Sequence, residues 1–324
     1  MRQPIGGLLL ASALWVSSAS YALAQSYSAA SCLGAGSNTS SCINSILTTA
    51  AAAAGGEVYF PKGTYTLTAS LNMQNGVYLR GEGVDATRLD YSGSSVAING
   101  VGTVSQRIIF RISDMTIEAA GAGASADGVW LGQNHRSNPI LSRVKIQGFP
   151  EYGVYFKQDD WIVSFDHVEI STNGHVATNA AGIFKALAVT DLNAIVFQDS
   201  LIEGNGSSSS AAGGVFLMSN SGGPMKGIVF RDCTIEGNFG TDQFLVIYAS
   251  DLVIDGGYFE SDLSQGTALV TVEVDNSTGS INSSRFAVGS GTSQSVAIQL
   301  KSSPGMSVNF PVYSGAWGRT LQVQ

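Results

Sequence analysis

The chain is 324 residues long, with 12% charged residues, 39 glycines and a formal net charge of −8. This composition is too apolar for a disordered chain and too rich in glycine for a helical one. The acidity disfavours nucleic acid and anionic membranes as partners, and argues only weakly against an acidic polymer, because a local basic patch outweighs the mean.

Residues 1–24 read as a secretory signal: Arg2 gives the charge, residues 5–16 the apolar run and Ala22-Leu23-Ala24 the small-residue cleavage site. The mature chain is then expected to start at Gln25, in a periplasm or outside the cell. No later stretch approaches the ~20 apolar residues of a transmembrane helix, so no membrane insertion is expected. Residues 25–324 are expected to form a single domain.

Cys32 and Cys42 are close in sequence and bound for an oxidising compartment, which predicts a small disulfide loop. Cys233 reads as a buried thiol, and no Cys or His spacing resembles a zinc site. Residues 40–54 place Ile43, Ile46, Leu47 and Ala50 at helical spacing before Gly55-Gly56. A helix there would cap the first coil of a solenoid, making residues 25–56 an N-terminal cap.

Residues 57–304 read as coils. Seven pairs of apolar residues five apart recur: Ile112/Ile117, Leu141/Ile146, Phe165/Ile170, Phe197/Ile202, Phe230/Ile235, Ile254/Phe259 and Ile281/Phe286. Their second members are 29, 24, 32, 33, 24 and 27 residues apart, the variable period of a solenoid with loops of different length. Each repeat offers a strand ending at the first apolar residue, a two-residue corner, a second strand and a third strand such as Gly128-Val129-Trp130-Leu131 or Gly214-Val215-Phe216-Leu217. Later third strands are read at Phe244, Ala268 and Val296. With no helix between strands, each pairs with its counterpart in the next coil, ~4.8 Å away, in parallel sheets. The corner column runs Asp114, Arg143, His167, Asp199, Asp232, Gly256 and Ser283, a turn role. Asn173, Asn205 and Asn238 form an expected amide ladder, and Glu203 and Glu236 repeat with it as solvent-facing residues. Residues 305–324, where the pattern fades and Trp317 lies, read as a tail or second cap.

Ala50 to Tyr65 (AAAAAGGEVYFPKGTY), with Leu71, Asn75 to Gly83 (NGVYLRGEG) and Ala86-Thr87-Arg88-Leu89, resembles the opening segment of the pectate lyase superfamily, more narrowly its polygalacturonase- and rhamnogalacturonase-related branch. The detailed match covers roughly 50 residues and the looser coil pattern about 300. The resemblance implies an all-β, right-handed parallel β-helix. It leaves function open among lyases, hydrolases, epimerases, esterases and non-catalytic fibres or adhesins.

With Val129, Val154, Ile183 and Val215 inward, the third strands turn Trp130, Tyr155, Phe184 and Phe216 outward in one column, ~14 Å long over three coil steps. The column then continues as Val246, Val270 and Ala297. Such a ladder gives sugar rings apolar faces to stack on; alternatively a loop covers it as a satellite core. Asp127 and Glu151 open the Trp130 and Tyr155 strands. In polygalacturonase-like enzymes acids at the openings of successive third strands do general acid and base work, and Asp127 matches the first of these as Asp-Gly. Glu151 stands where the family has an Asp pair, Ala180-Ala181-Gly182 where it has Gly-His-Gly, and the Arg-Ile-Lys signature is absent. Acids on adjacent coils lie ~5 Å apart, so one is pushed toward the protonated form, the equipment for glycoside cleavage. The other reading of both acids is as solvated loop residues.

A lyase reading uses Asp127, Glu151, Asp159 and Asp160 to hold Ca²⁺, with Lys157, Lys185 or Arg136 as base. A hydrolase needs no cofactor. Lys157 and Lys185 also stand as substrate-binding residues beside Trp130, Tyr155, Phe184 and Phe216. The expected function is that of a secreted polysaccharide-active protein, cleaving a pectin-like or other uronate-containing glycan by hydrolysis or β-elimination. The alternative is a non-catalytic glycan-binding adhesin or exopolysaccharide partner.

Overall fold

The computed structural model describes residues 25–102, 108–132, 138–176, 182–185, 192–219, 223–261, 270–288 and 294–324. They form a right-handed parallel β-helix. The third strands make a ten-stranded sheet of their own, while first and second strands join in a twenty-stranded sheet that folds at the corner between them. The seven pairs stack in register: Leu141 lies between Ile112 and Phe165, Phe197 between Phe165 and Phe230, and Ile254 between Phe230 and Ile281. All fourteen residues are buried. Phenylalanines on neighbouring coils stack face to face, at 4.3 Å between Phe165 and Phe197 and 4.6 Å between Phe197 and Phe230.

The corner column has a backbone cause. Asp114, Arg143, His167, Asp199, Asp232 and Ser283 all take positive φ between 47° and 58°, and Gly256 takes 68°. One left-handed residue turns the chain from the first strand into the second, a conformation in which Asp and Asn are tolerated. Stacked corners of opposite sign then pair, with the Arg143 guanidinium donating to both Asp114 oxygens at 2.6 and 3.0 Å. The amide ladder forms as expected: Asn173 Nδ2 donates to Asn205 Oδ1, and Asn205 Nδ2 to Asn238 Oδ1, each at 2.9 Å. It also explains why third strands open with glycine. A Cβ on Gly153 would stand 2.8 Å from Asn173 Nδ2, and one on Gly214 2.9 Å from Asn238 Nδ2.

A helix at Thr39–Ala52 covers the first coil with Ile43, Leu47 and Ala50 fully buried, and Cys32 and Cys42 are disulfide-bonded. Cys233 is a buried free thiol whose pKa burial pushes up to about 11. The C-terminal segment corrects the expectation of a tail or cap. Gly305–Asn309, Val312–Ser314 and Trp317–Val323 add another parallel coil onto their predecessors. Its sequence hides this because the outermost coil leaves Val312, Leu321 and Val323 exposed, so the inward apolar pairing is diluted.

Phe230 tests the inward phase: it is 1% exposed and has Phe197 on one side and the edge of Phe244 at 4.9 Å on another. Phe230→Asp should cost more than about 4 kcal/mol, an unpaired charge entering a dry core, and should abolish the cooperative melt seen by circular dichroism. An unchanged melting curve would contradict the packing.

Candidate functional site

The outward column of the third-strand sheet is the strongest candidate from the sequence. Trp130 pairs with Tyr155, Tyr155 with Phe184 and Phe184 with Phe216, as expected. The next members are Leu245, Glu273 and Gln299, not Val246, Val270 and Ala297. Phe244-Leu245-Val246-Ile247 is apolar at every position, so alternation could not reveal its outward face. Ala268 and Leu269 of the expected strand lie outside the described residues, and the strand starts at Val270.

The column divides into an open half and a closed half. Phe184 and Phe216 are only 5% and 6% exposed, packed with Tyr152, Ala212 and Leu245 in a satellite apolar cluster. Tyr152 lies flat on Phe184 at 4.3 Å. Trp130 and Tyr155 remain half-buried and Lys157 is exposed. The ladder explains the position of Lys157. It has the outward parity of Tyr155, and its N–H bonds the carbonyl of Leu131 on the preceding coil, which sets it two residues along the strand from the Trp130–Tyr155 pair. Its Nζ stands 3.2 Å from the centre of the Trp130 ring and 5.5 Å from that of Tyr155.

Asp127 supports this arrangement from beneath. It is 2% exposed, and its two oxygens accept from the Trp130 indole Nε1 at 2.5 Å and from the backbone N–H of Tyr152 at 2.9 Å. Burial pushes its pKa up to about 7 despite those two bonds. Burial also lowers Lys157, while it raises Tyr155, helped by the charges of Asp127 and Glu151. Glu151 is half-buried on the adjacent coil, its N–H bonded to the carbonyl of Ala126, so the ladder sets Tyr152 rather than Glu151 beside Asp127.

Other expected residues sit elsewhere. Lys185 is fully buried and its ammonium bonds the carbonyl of Met218 at 2.6 Å, so it does not reach the open face. Its place in Ile183-Phe184-Lys185 has the inward parity of Ile183, and its ladder partners Phe156 and Leu217 are core residues, so strand alternation itself sets it against the interior. Asp160 is fully buried, its Oδ2 has no hydrogen-bond partner among the described residues, and burial holds its pKa well above the carboxylate range. Among the described residues the acids Asp127, Glu151, Asp159 and Asp160 form no group of three with ligand atoms within 4.8 Å. The one such group is Asp166, His167 and Asp199 at the corner, where His167 Nδ1 is 2.7 Å from Asp166. Arg136 and Ala180-Ala181 lie outside the described residues. Sequence reading passed over Tyr152, whose signal was its place one residue before the glycine that opens the strand.

The sequence matches the family of rhamnogalacturonase A/epimerase, pectate lyase-like proteins over residues 34–289, and the chain belongs to that family. No curated protein sequence matches it. Among solved structures it is similar to the ORF18 protein of Geobacillus virus E2, with 17% identity, a TM-score of 0.63 and 91% of this chain covered. The chain spans 61% of that viral protein. It is also similar to the surface adhesin PfbA of Streptococcus pneumoniae, with 10% identity, 91% of each chain and a TM-score of 0.60. The A-module of the Azotobacter vinelandii mannuronan C-5 epimerase AlgE4 follows at 17% identity, 92% of this chain, 97% of that one and a TM-score of 0.52. At these identities the likeness is one of fold. No helix among the described residues is long and apolar enough to cross a membrane.

Asp127 carries a measurable signature. A carboxyl raised from 3.8 to about 7 in the folded state favours folding fully below pH 3.8 and loses that contribution as pH rises through about 7. Asp127→Asn should therefore flatten part of the fall in melting temperature between pH 4 and 7. Identical pH profiles for the two proteins would show that Asp127 titrates normally.

Proposed function

We propose that the protein binds and cleaves a uronate-containing polysaccharide on the open half of the third-strand face. The observation that carries this is the Lys157 ammonium, exposed to solvent yet fixed 3.2 Å over the Trp130 ring. A cation held by an aromatic wall meets a sugar carboxylate, while the edge of Trp130 and the ring of Tyr155 meet the apolar face of the sugar. Pairing that carboxylate with Lys157 makes the neighbouring C5 proton more acidic. Glu151, at the rim, is the carboxylate available to take it. The Tyr155 phenol, its pKa raised, stays protonated and is suited to give a proton to the leaving glycosidic oxygen. The C5–H electrons become the C4–C5 double bond as the C4–O bond breaks. Reprotonation at C5 without that cleavage would be epimerisation. Asp127 serves by holding Trp130. As a general acid in hydrolysis it would need to be uncovered, which its 2% exposure argues against.

The family and the glycan-active and adhesive proteins of the same fold support a polysaccharide ligand, and the Cys32–Cys42 disulfide supports an exported protein. A second reading, binding without turnover, is favoured by the closed Phe184/Phe216 half, which shortens the open groove.

Purified protein should be incubated with a panel of uronate and neutral polysaccharides. New double bonds seen by absorbance are expected; reducing ends without them would replace elimination by hydrolysis, and retained binding without product would favour the second reading. Glu151→Gln should lower turnover by about 10²–10⁴ with little change in affinity, and Lys157→Ala should weaken affinity as well. Full activity in both variants would remove this face as the site.

A further inference from the structure

A second groove, of about 450 Å³, crosses the opposite sheet on the outer side of the first strands. Its floor is set by the ladder: Glu57, Tyr78, Arg111 and Ile140 stack in one outward column, and Arg80, Ser113, Ser142 and Asp166 in the next. The acids and bases here are unequally spent. Arg80 forks onto Glu57 at 2.8 and 2.9 Å, and Arg143 forks onto Asp114 at 2.6 and 3.0 Å. Those pairs neutralise each other and hold both carboxylates below their usual range. The Arg111 side chain has no hydrogen bond or ion pair among the described residues. Its guanidinium stands 6.0 Å over the ring of Tyr78, itself 38% exposed.

We infer that this groove is a second glycan-binding site, in which Arg111 takes the carboxylate of an acidic sugar and Tyr78 the face of its ring. A guanidinium with unspent donors in a fixed fork matches a carboxylate bidentately. An aromatic ring beside it supplies the apolar half of sugar recognition. In the next column Ser113 is buried and Ser142 is held by Asp166 and Arg143, which leaves Arg111 and Tyr78 as the groups that meet the ligand. With Asp166 counted the groove's formal charges cancel, so it selects through Arg111 as the guanidinium that has no carboxylate partner among the described residues, and added salt should weaken it. The ligand class rests on the function proposed above, while the site is independent of it. The two grooves lie on different faces of one solenoid. A long chain could therefore be anchored at Arg111 while another segment is processed beside Lys157.

The test is calorimetric titration of a defined oligogalacturonate into the full protein, Arg111→Ala, Lys157→Ala and the double variant, with a neutral oligosaccharide of equal length as control. The wild type should bind two copies, each single variant one, and the double variant none. Tyr78→Ala should weaken the Arg111 site roughly tenfold or more. Arg111→Ala should leave turnover of a short substrate unchanged while lowering retention on the polymer. If Lys157→Ala abolishes all binding, the second site does not exist and the proposed function stands. If Arg111→Ala changes nothing in the Lys157→Ala background, the inference fails in the same way. If Lys157→Ala changes nothing and Arg111→Ala abolishes binding, this groove is confirmed and the third-strand face loses its role. Equal binding of the neutral control would overturn the assignment of Arg111 to a carboxylate, and no binding of the acidic oligomer by any form would overturn both.

Discussion

Every coil of this chain leaves its backbone N–H and C=O groups pointing along the solenoid axis, and only another coil in the same register can pair them. That demand fixes everything else. Once Leu141 is locked between Ile112 and Phe165, the residues on either side are locked too, and each position becomes a column. Columns of like residues result: stacked phenylalanines in the core, one left-handed residue at each corner, a run of amides from Asn173 to Asn238. A glycine opening a third strand is the consequence of the amide beneath it. The helix at Thr39–Ala52 covers the first coil, whereas the last coil keeps Val312, Leu321 and Val323 in solvent.

This is why the fold was legible in the sequence and much of the site was not. A column needs only one residue type at one spacing, so the five-residue pairs, the corner series and the amide ladder could all be read from the chain. The outward parity of Trp130, Tyr155, Phe184 and Phe216 could be read the same way. What parity leaves open is coverage. Tyr152 closing over Phe184 and Asp160 ending in the core depend on what loops and bends bring near them, whereas Lys185 shares the inward parity of Ile183. The register also outran the pattern where apolar residues were continuous, as at Leu245, and where the pattern thinned, as in the last coil.

The chemistry of the third-strand face comes from the same geometry. A ladder places residues of adjacent coils close together without asking whether their charges agree. Asp127 is buried beneath Trp130 because the strand opens there, and its pKa rises because burial outweighs the indole and Tyr152 hydrogen bonds and the charge of Lys157. The same ladder sets Lys157 on the outward side two residues beyond Tyr155, where its ammonium lies over the indole. A scaffold that stacks side chains so regularly can carry many sites, and its members differ in function by which columns they leave open. Among the described residues, the columns around Lys157 and around Arg111 are left open on different faces.

The role of the third-strand face would be decided by a crystal structure of the protein soaked with an oligouronate too short to span both grooves. A sugar carboxylate is expected within hydrogen-bond distance of Lys157 Nζ, with its ring against Trp130 and Tyr155. Ordered sugar found only on other surfaces, with Lys157 and Trp130 unchanged and uncovered, would rule this face out.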